Sequence, residues 1–227
     1  RLYDYVYSGV KSESVDFTTA NMSDDGILTF GTSELYISMP LVNQCPQKVF
    51  GESVSGVDMT YVGEAFDQSL WQAIAAGAYA PQAKSNKVVL MLSPQWFFKN
   101  NGQQSKFASK FSYTLYKNFL NNAAISDDTK AYVRSRLQQL GVDETQIRAA
   151  NDDTLIDAFN DAAYQFSNDL RIRSKLDALV NGSPKKSQTR TAAQYTGEPD
   201  WDSLLDDAQA QGKQSCTNND FGIHDAY

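Results

Sequence analysis

Ile27-Leu28-Thr29-Phe30-Gly31-Thr32-Ser33-Glu34-Leu35 changes character at its centre. The turn signal Asp24-Asp25-Gly26 precedes Ile27–Phe30, and together they predict a short, mostly buried strand. From Glu34 to Met39 the residues predict the start of a helix that Pro40 bounds. Val57 to Val62, closed by Gly63, predicts a second strand. Gln68 to Tyr79 predicts a helix with Leu70, Ala73, Ile74 and Gly77 on one face. Lys87 to Leu92 is the clearest strand, and its continuous apolar run suits burial on both faces of a sheet. Strand, helix, strand, helix, strand within about 65 residues predicts an α/β fold with a mostly parallel sheet covered by helices.

In such sheets reactive residues gather just past the carboxyl ends of the strands. Three segments fall there: Gly31-Thr32-Ser33, Gly63-Glu64-Ala65 and Ser93-Pro94-Gln95. A serine on a tight strand-to-helix turn exposes its hydroxyl on a rigid backbone. Unpaired N–H groups at the helix start stabilise the oxyanion that forms when a carbonyl is attacked. Ser33 therefore meets the needs of an acyl-transfer nucleophile. Gly63 has a backbone N–H to offer as an oxyanion donor, and Gln95 a side-chain amide. The same residues also suit plainer roles as a helix cap, a turn glycine and a polar loop residue.

After Gln95 the pattern becomes helical. Phe107 to Leu120 is aromatic-rich, Asp127 to Leu140 is a helix ended by Gly141, and Asp143 to Ala150 is a short one. Asp153 to Val180 carries Leu155, Phe159, Ala162, Phe166 and Leu170 at spacings of three and four, which predicts a long amphipathic helix. Residues 105 to 180 read as a helical insertion. Gly182 to Thr196 is a basic, Ser/Thr-rich loop with Lys185, Lys186 and Arg190. Pro199 to Gln211 predicts another helix, with Trp201, Leu204 and Leu205 buried.

With 227 residues the chain has room for one sizeable α/β domain or two small ones. Its net charge of -7 leaves no basic footprint for nucleic acid. The two cysteines, Cys45 and Cys216, lie too far apart for a metal-binding pattern, so no metal or cofactor is expected. There is no secretory apolar core and no apolar stretch of about 18 residues. The chain opens on Arg1 rather than Met, so an upstream segment is expected to have been removed.

Phe30-Gly31-Thr32-Ser33-Glu34-Leu35 resembles the Gly-Ser-Ser-Glu-Leu block of the D-alanine transfer protein family (DltD), and Ser93-Pro94-Gln95-Trp96-Phe97 resembles its most recognisable block. Gln68-Ser69-Leu70, Asp200-Trp201 through Leu204, and Asn218-Asn219-Asp220-Phe221-Gly222-Ile223 match further segments. The resemblance runs from about Ile27 to Tyr227. It implies a three-layer α/β sandwich like that of SGNH/GDSL-type serine hydrolases, with Ser33 as nucleophile and Gly63 and Gln95 in the oxyanion-hole positions. It also implies a place in the D-alanylation of lipoteichoic acid in Gram-positive bacteria, by acyl-transfer, thioesterase or esterase chemistry. The implied partners are a D-alanyl donor, lipoteichoic acid, a membrane acyltransferase and a D-alanyl carrier protein. The implied location is the outer face of the cell membrane, through an N-terminal helix this chain lacks. A non-catalytic protein that presents the polymer or carrier to the acyltransferase is the alternative.

The chain departs from the family pattern twice. Gly63-Glu64-Ala65 stands where the family often has Gly-Arg-Gly. The family's catalytic Asp and His lie in a later Asp-x-x-His segment, and nothing in its pattern makes His224 the base. The expectation is therefore that residues 1–227 form the N-terminal part of a single α/β domain, truncated at its C-terminus and with little turnover by itself.

Overall fold

The computed structural model describes residues 6–36, 46–49, 56–97 and 106–181, together with 200, 202–203, 205–207 and 209–210. Two short helices come first, α1 (Gly9–Glu13) and α2 (Val15–Ala20). Each is too short for an apolar period to show in the sequence. The Ser8 side chain caps α1 by accepting from the N–H of Lys11.

The sheet is built from β1 (Ile27–Phe30), β2 (Met59–Val62) and β3 (Val88–Leu90), all parallel and ordered β2-β1-β3. Phe30 stands level with Val62 on one side and Leu90 on the other. A short helix, α3 (Pro46–Val49), lies between β1 and β2, and α4 (Ser69–Tyr79) connects β2 to β3. The fold is therefore α/β with a small parallel sheet and many helices.

Four expectations are corrected. The helix from Glu34 to Met39 is a single 3-10 turn, Ser33–Leu35, after which Tyr36 is extended; residues 37–40 lie outside the described residues. β3 is not buried on both faces, because Val88, Leu90 and Leu92 are about half exposed. A continuous apolar run reports a strand that wants cover; β2 and β3 are both edge strands among the described residues, but β2 is covered and β3 is not. On α4 the buried residues are Trp71, Gln72, Ile74, Ala75, Ala78 and Tyr79, while Ala73 faces outward. That helix is covered from two sides. Tyr79 meets Phe30 edge to face with ring centroids 5.8 Å apart, and Gly77 lies so close to Phe119 that a Cβ would sit 2.5 Å from that ring. Leu205 is exposed rather than buried; Trp201 and Leu204 lie outside the described residues.

The helical block follows as α5 (Phe107–Lys110), α6 (Tyr113–Asn121), α7 (Asp127–Gln139), α8 (Glu144–Ala150) and α9 (Leu155–Asn181). The aromatic segment breaks into α5 and α6 because Ser112 is extended and caps α6, its hydroxyl accepting from the N–H of Leu115. Gly141 follows α7 with φ +76, the left-handed geometry of a helix stop. Phe107, Leu115, Tyr116, Phe119, Val133, Leu137 and Ile147 join Phe30, Val62 and Trp71 in one core.

A buried polar knot locks this block. Lys117 Nζ lies 3.0 Å from Asp161 and 2.9 Å from Asp152, and donates to the Ala150 carbonyl at 3.0 Å. Asp161 also accepts from Tyr113 Oη at 2.5 Å and from Gln165 Nε2 at 2.7 Å. Burial, then the hydrogen bond to Asp161, pushes the Tyr113 phenol well above its ordinary pKa, so it stays a donor. Lys117→Ala leaves Asp161 buried without its cation and is expected to cost about 3–5 kcal/mol in urea unfolding. A loss below about 1 kcal/mol would show that the knot contributes little.

Candidate functional site

The parallel order β2-β1-β3 decides where a site belongs. After β1 the chain goes to one side to make β2, then crosses to the other side to make β3. The strand order therefore reverses between β1 and β3, and in open parallel sheets ligands bind outside the carboxyl ends of the strands at such a reversal. Ser33 lies three residues past the end of β1. Gly63 immediately follows β2, and Pro94–Phe97 forms a 3-10 turn just past β3. The three strand ends are thus brought together side by side, with β1 in the middle.

The backbone around Ser33 is tied down. Gly31 donates its N–H to the Val62 carbonyl at 3.0 Å. Thr32 is fully buried and is held by Glu34, whose carboxylate accepts the Thr32 N–H at 2.7 Å and the Thr32 hydroxyl at 2.6 Å. Glu34 sits two residues after Thr32 rather than at the capping-box distance of three, so this clamp carries no familiar sequence signature. Ser33 then opens the 3-10 turn and is exposed. Among the described residues its hydroxyl has no hydrogen-bond partner. The hydroxyl on this clamped corner is accessible, and no base among the described residues hydrogen-bonds to it.

Gly63 makes the tightest contact. It has φ +133, and a Cβ there would sit 2.0 Å from the Gly31 carbonyl oxygen. Its N–H donates to Ser12 Oγ at 2.8 Å. The next two amides are also engaged, Glu64 N–H with Asp67 Oδ2 at 2.7 Å and Ala65 N–H with Tyr7 Oη at 2.6 Å. Gln95 lies on the Pro94–Phe97 turn beside β1, and its side chain lies outside the described residues. Cys45, His224 and the Lys185/Lys186/Arg190 loop lie outside them as well, as does Cys216.

A polar cleft of about 520 Å³ opens on the β2 side, between the strand ends and the helical block. Glu13, Glu64, Asp67, Lys110, Arg171 and Lys175 line it, and Ser33 does not. Ion pairs Lys110–Glu64 and Arg171–Glu13 span it. Asp67 at its floor is only 2 % exposed. Burial, opposed by the Glu64 N–H and the Lys110 charge, pushes its carboxyl up to about 8. Sequence reading missed Asp67 because its neighbours in the cleft come from distant segments. Among the described residues no cluster of His, Cys, Asp and Glu could hold a metal ion, and no helix is long and apolar enough to cross a membrane.

Comparison with known proteins now bears on these strand ends, since the family match spans residues 4–227 and so all three of them, and carries the description "DltD protein". The chain belongs to the DltD family. It is 25% identical over 202 residues to "Protein DltD" of Bacillus subtilis (strain 168), covering 86% of this chain and 50% of that protein. The DltD chain thus spans about half the length of the curated relative it matches.

Two outcomes are expected. Gly63→Ala places a methyl group into the Gly31 carbonyl at a disfavoured φ, and should cost about 3 kcal/mol or more in thermal unfolding; an unchanged Tm would refute the contact. Asp67 has a folded pKa above its unfolded one, so between about pH 4 and 8 the folded state binds the extra proton. Stability should fall with rising pH across that window, by up to about 1.4 kcal/mol per pH unit, and level off above it. Asp67→Asn should flatten that slope in denaturant titrations; a slope identical to that of the unsubstituted chain would rule out Asp67 as its source.

Proposed function

We propose that this chain carries the nucleophile-bearing portion of an enzyme that transfers D-alanyl groups in the D-alanylation of lipoteichoic acid, with Ser33 as the nucleophile. The observation that carries this reading is the exposed Ser33 hydroxyl on a clamped turn at the point where the strand order reverses. Family membership supports the pathway.

Ser33 Oγ attacks the D-alanyl carbonyl, forms an ester with it and expels the oxygen or sulfur of the donor. The hydroxyl proton passes to a base supplied by the further length that distinguishes the relative from this chain. The oxyanion is met by the N–H of Ser33, which has no acceptor among the described residues, and by the Gln95 amide. Gly63 contributes a further N–H only if that group leaves Ser12 Oγ for the oxyanion. In this reading the complete sheet is the centre of a three-layer sandwich of SGNH-hydrolase type. The complete protein is held at the outer face of the membrane beside a membrane acyltransferase, where it meets the D-alanyl donor or carrier.

The polar cleft supports a second reading, in which the protein binds and presents polymer or carrier without reacting with it. Its lining is ionic and Ser33 lies outside it. Ser33→Ala in the full-length protein separates the two. The catalytic reading predicts that ester-linked D-alanine on lipoteichoic acid falls by about a thousandfold or more, with Tm unchanged because the hydroxyl is exposed. Undiminished D-alanine content would establish the second reading instead.

A further inference from the structure

The long helix α9 is turned the unexpected way round. Its inward face carries Asp157, Asp161 and Ile172, and its outward face carries Leu155, Ile156, Phe159, Phe166 and Leu170, which are 92%, 74%, 76%, 67% and 54% exposed. Taking about 200 Å² for a fully exposed large apolar residue, these five present roughly 700 Å² to solvent. A monomer rarely leaves so much contiguous apolar surface uncovered. The rotation of the helix is not free, because Asp161 is bonded to Lys117, Tyr113 and Gln165, and Asp157 is paired with Arg148. Turning the stripe inward would leave those groups unpaired.

The stripe is also palindromic. Leu155 and Leu170, Phe159 and Phe166, and Ala162 and Ala163 are each placed symmetrically about one point, midway between the two alanines. That point also lies at the angular centre of the stripe at 100° per residue. A two-fold contact between antiparallel helices needs this pattern, since one patch must complement its own copy. We propose that the outward face of α9 is a homodimer interface, with two copies of this chain packed antiparallel about an axis at Ala162–Ala163.

In that arrangement Leu155 of one copy lies level with Leu170 of the other, and Phe159 with Phe166. Ala162 meets Ala162 of the second copy beside the axis, where small side chains allow the 8–10 Å approach of packed helices. The roughly 700 Å² on each copy approaches the ~800 Å² per partner of a standard stable interface. Ser33 takes no part, so the dimer stands or falls separately from the proposed chemistry.

Sedimentation of the whole chain across micromolar concentrations tests this. A dimer is expected, and Phe159→Asp or Phe166→Asp should raise its dissociation constant by at least 100-fold without lowering the Tm, since both rings are exposed. Ala162→Cys, with Cys45→Ser and Cys216→Ser, should give a disulfide-linked dimer under mild oxidation. A monomer throughout, a dimer indifferent to both aspartate substitutions, failure of Ala162→Cys to cross-link, or a monomer that binds lipid vesicles through this stripe would each overturn the proposal.

Discussion

The contact between Gly63 and the Gly31 carbonyl is the constraint around which the strand ends are arranged. No other residue type fits at a position where a Cβ would come within 2.0 Å of a carbonyl oxygen at φ +133. The contact brings the ends of β1 and β2 together immediately above the last register pair, Phe30 with Val62. It turns the Gly63 N–H towards Ser12, so α1 is fastened to the sheet by the same residue. Tyr79 reinforces this, its hydroxyl donating to the Ser12 carbonyl at 2.9 Å. Lys11, buried beside Ser12, donates to the Tyr61 carbonyl at 2.6 Å. The N-terminal segment, weakly patterned as sequence, is thus the brace behind β2.

That brace leaves the β1 corner as the accessible one. The Gly63, Glu64 and Ala65 amides are satisfied within the fold, whereas Ser33 stands exposed after a threonine that Glu34 grips by both its N–H and its hydroxyl. Rigid backbone and a free side chain are separate requirements, and here they fall on adjacent residues. The ionic cleft lies on the braced side, across β2. The Ser33 corner and the ionic cleft therefore lie on different sides of the same row of strand ends.

Much of this was legible from periodicity. The strands at 27–30 and 59–62 and the helix at 69–79 were readable because each has a period or an apolar block bounded by turn residues. What periodicity does not carry is the identity of the neighbour. The strand expected over Lys87 to Leu92 forms at Val88–Leu90, yet it is half exposed, because a run of apolar residues states a preference for cover without supplying it. The helix expected from Glu34 is a single turn because the backbone is already extended at Tyr36. Asp67 was invisible for the related reason that its raised pKa arises chiefly from burial, which only the assembled fold supplies. The position of Ser33 was readable because strand-end geometry follows from strand order, but the exact partners of Gly63 were not.

The long helix shows where the usual inference from amphipathicity needs a second test. Apolar spacing at three and four identifies a face, and burial in the same chain is only the commonest fate of that face. Here the opposite face holds carboxylates that find partners inside, at Lys117, Tyr113 and Arg148. A buried ionic knot has a weak claim to add net stability, but it is intolerant of losing one member. It therefore fixes the rotation of α9 more firmly than it stabilises the block. With rotation fixed from within, the apolar stripe is directed outward by the polar side. Its symmetry about Ala162–Ala163 would serve no purpose against an unrelated surface, since only a copy of itself presents the same spacings in reverse.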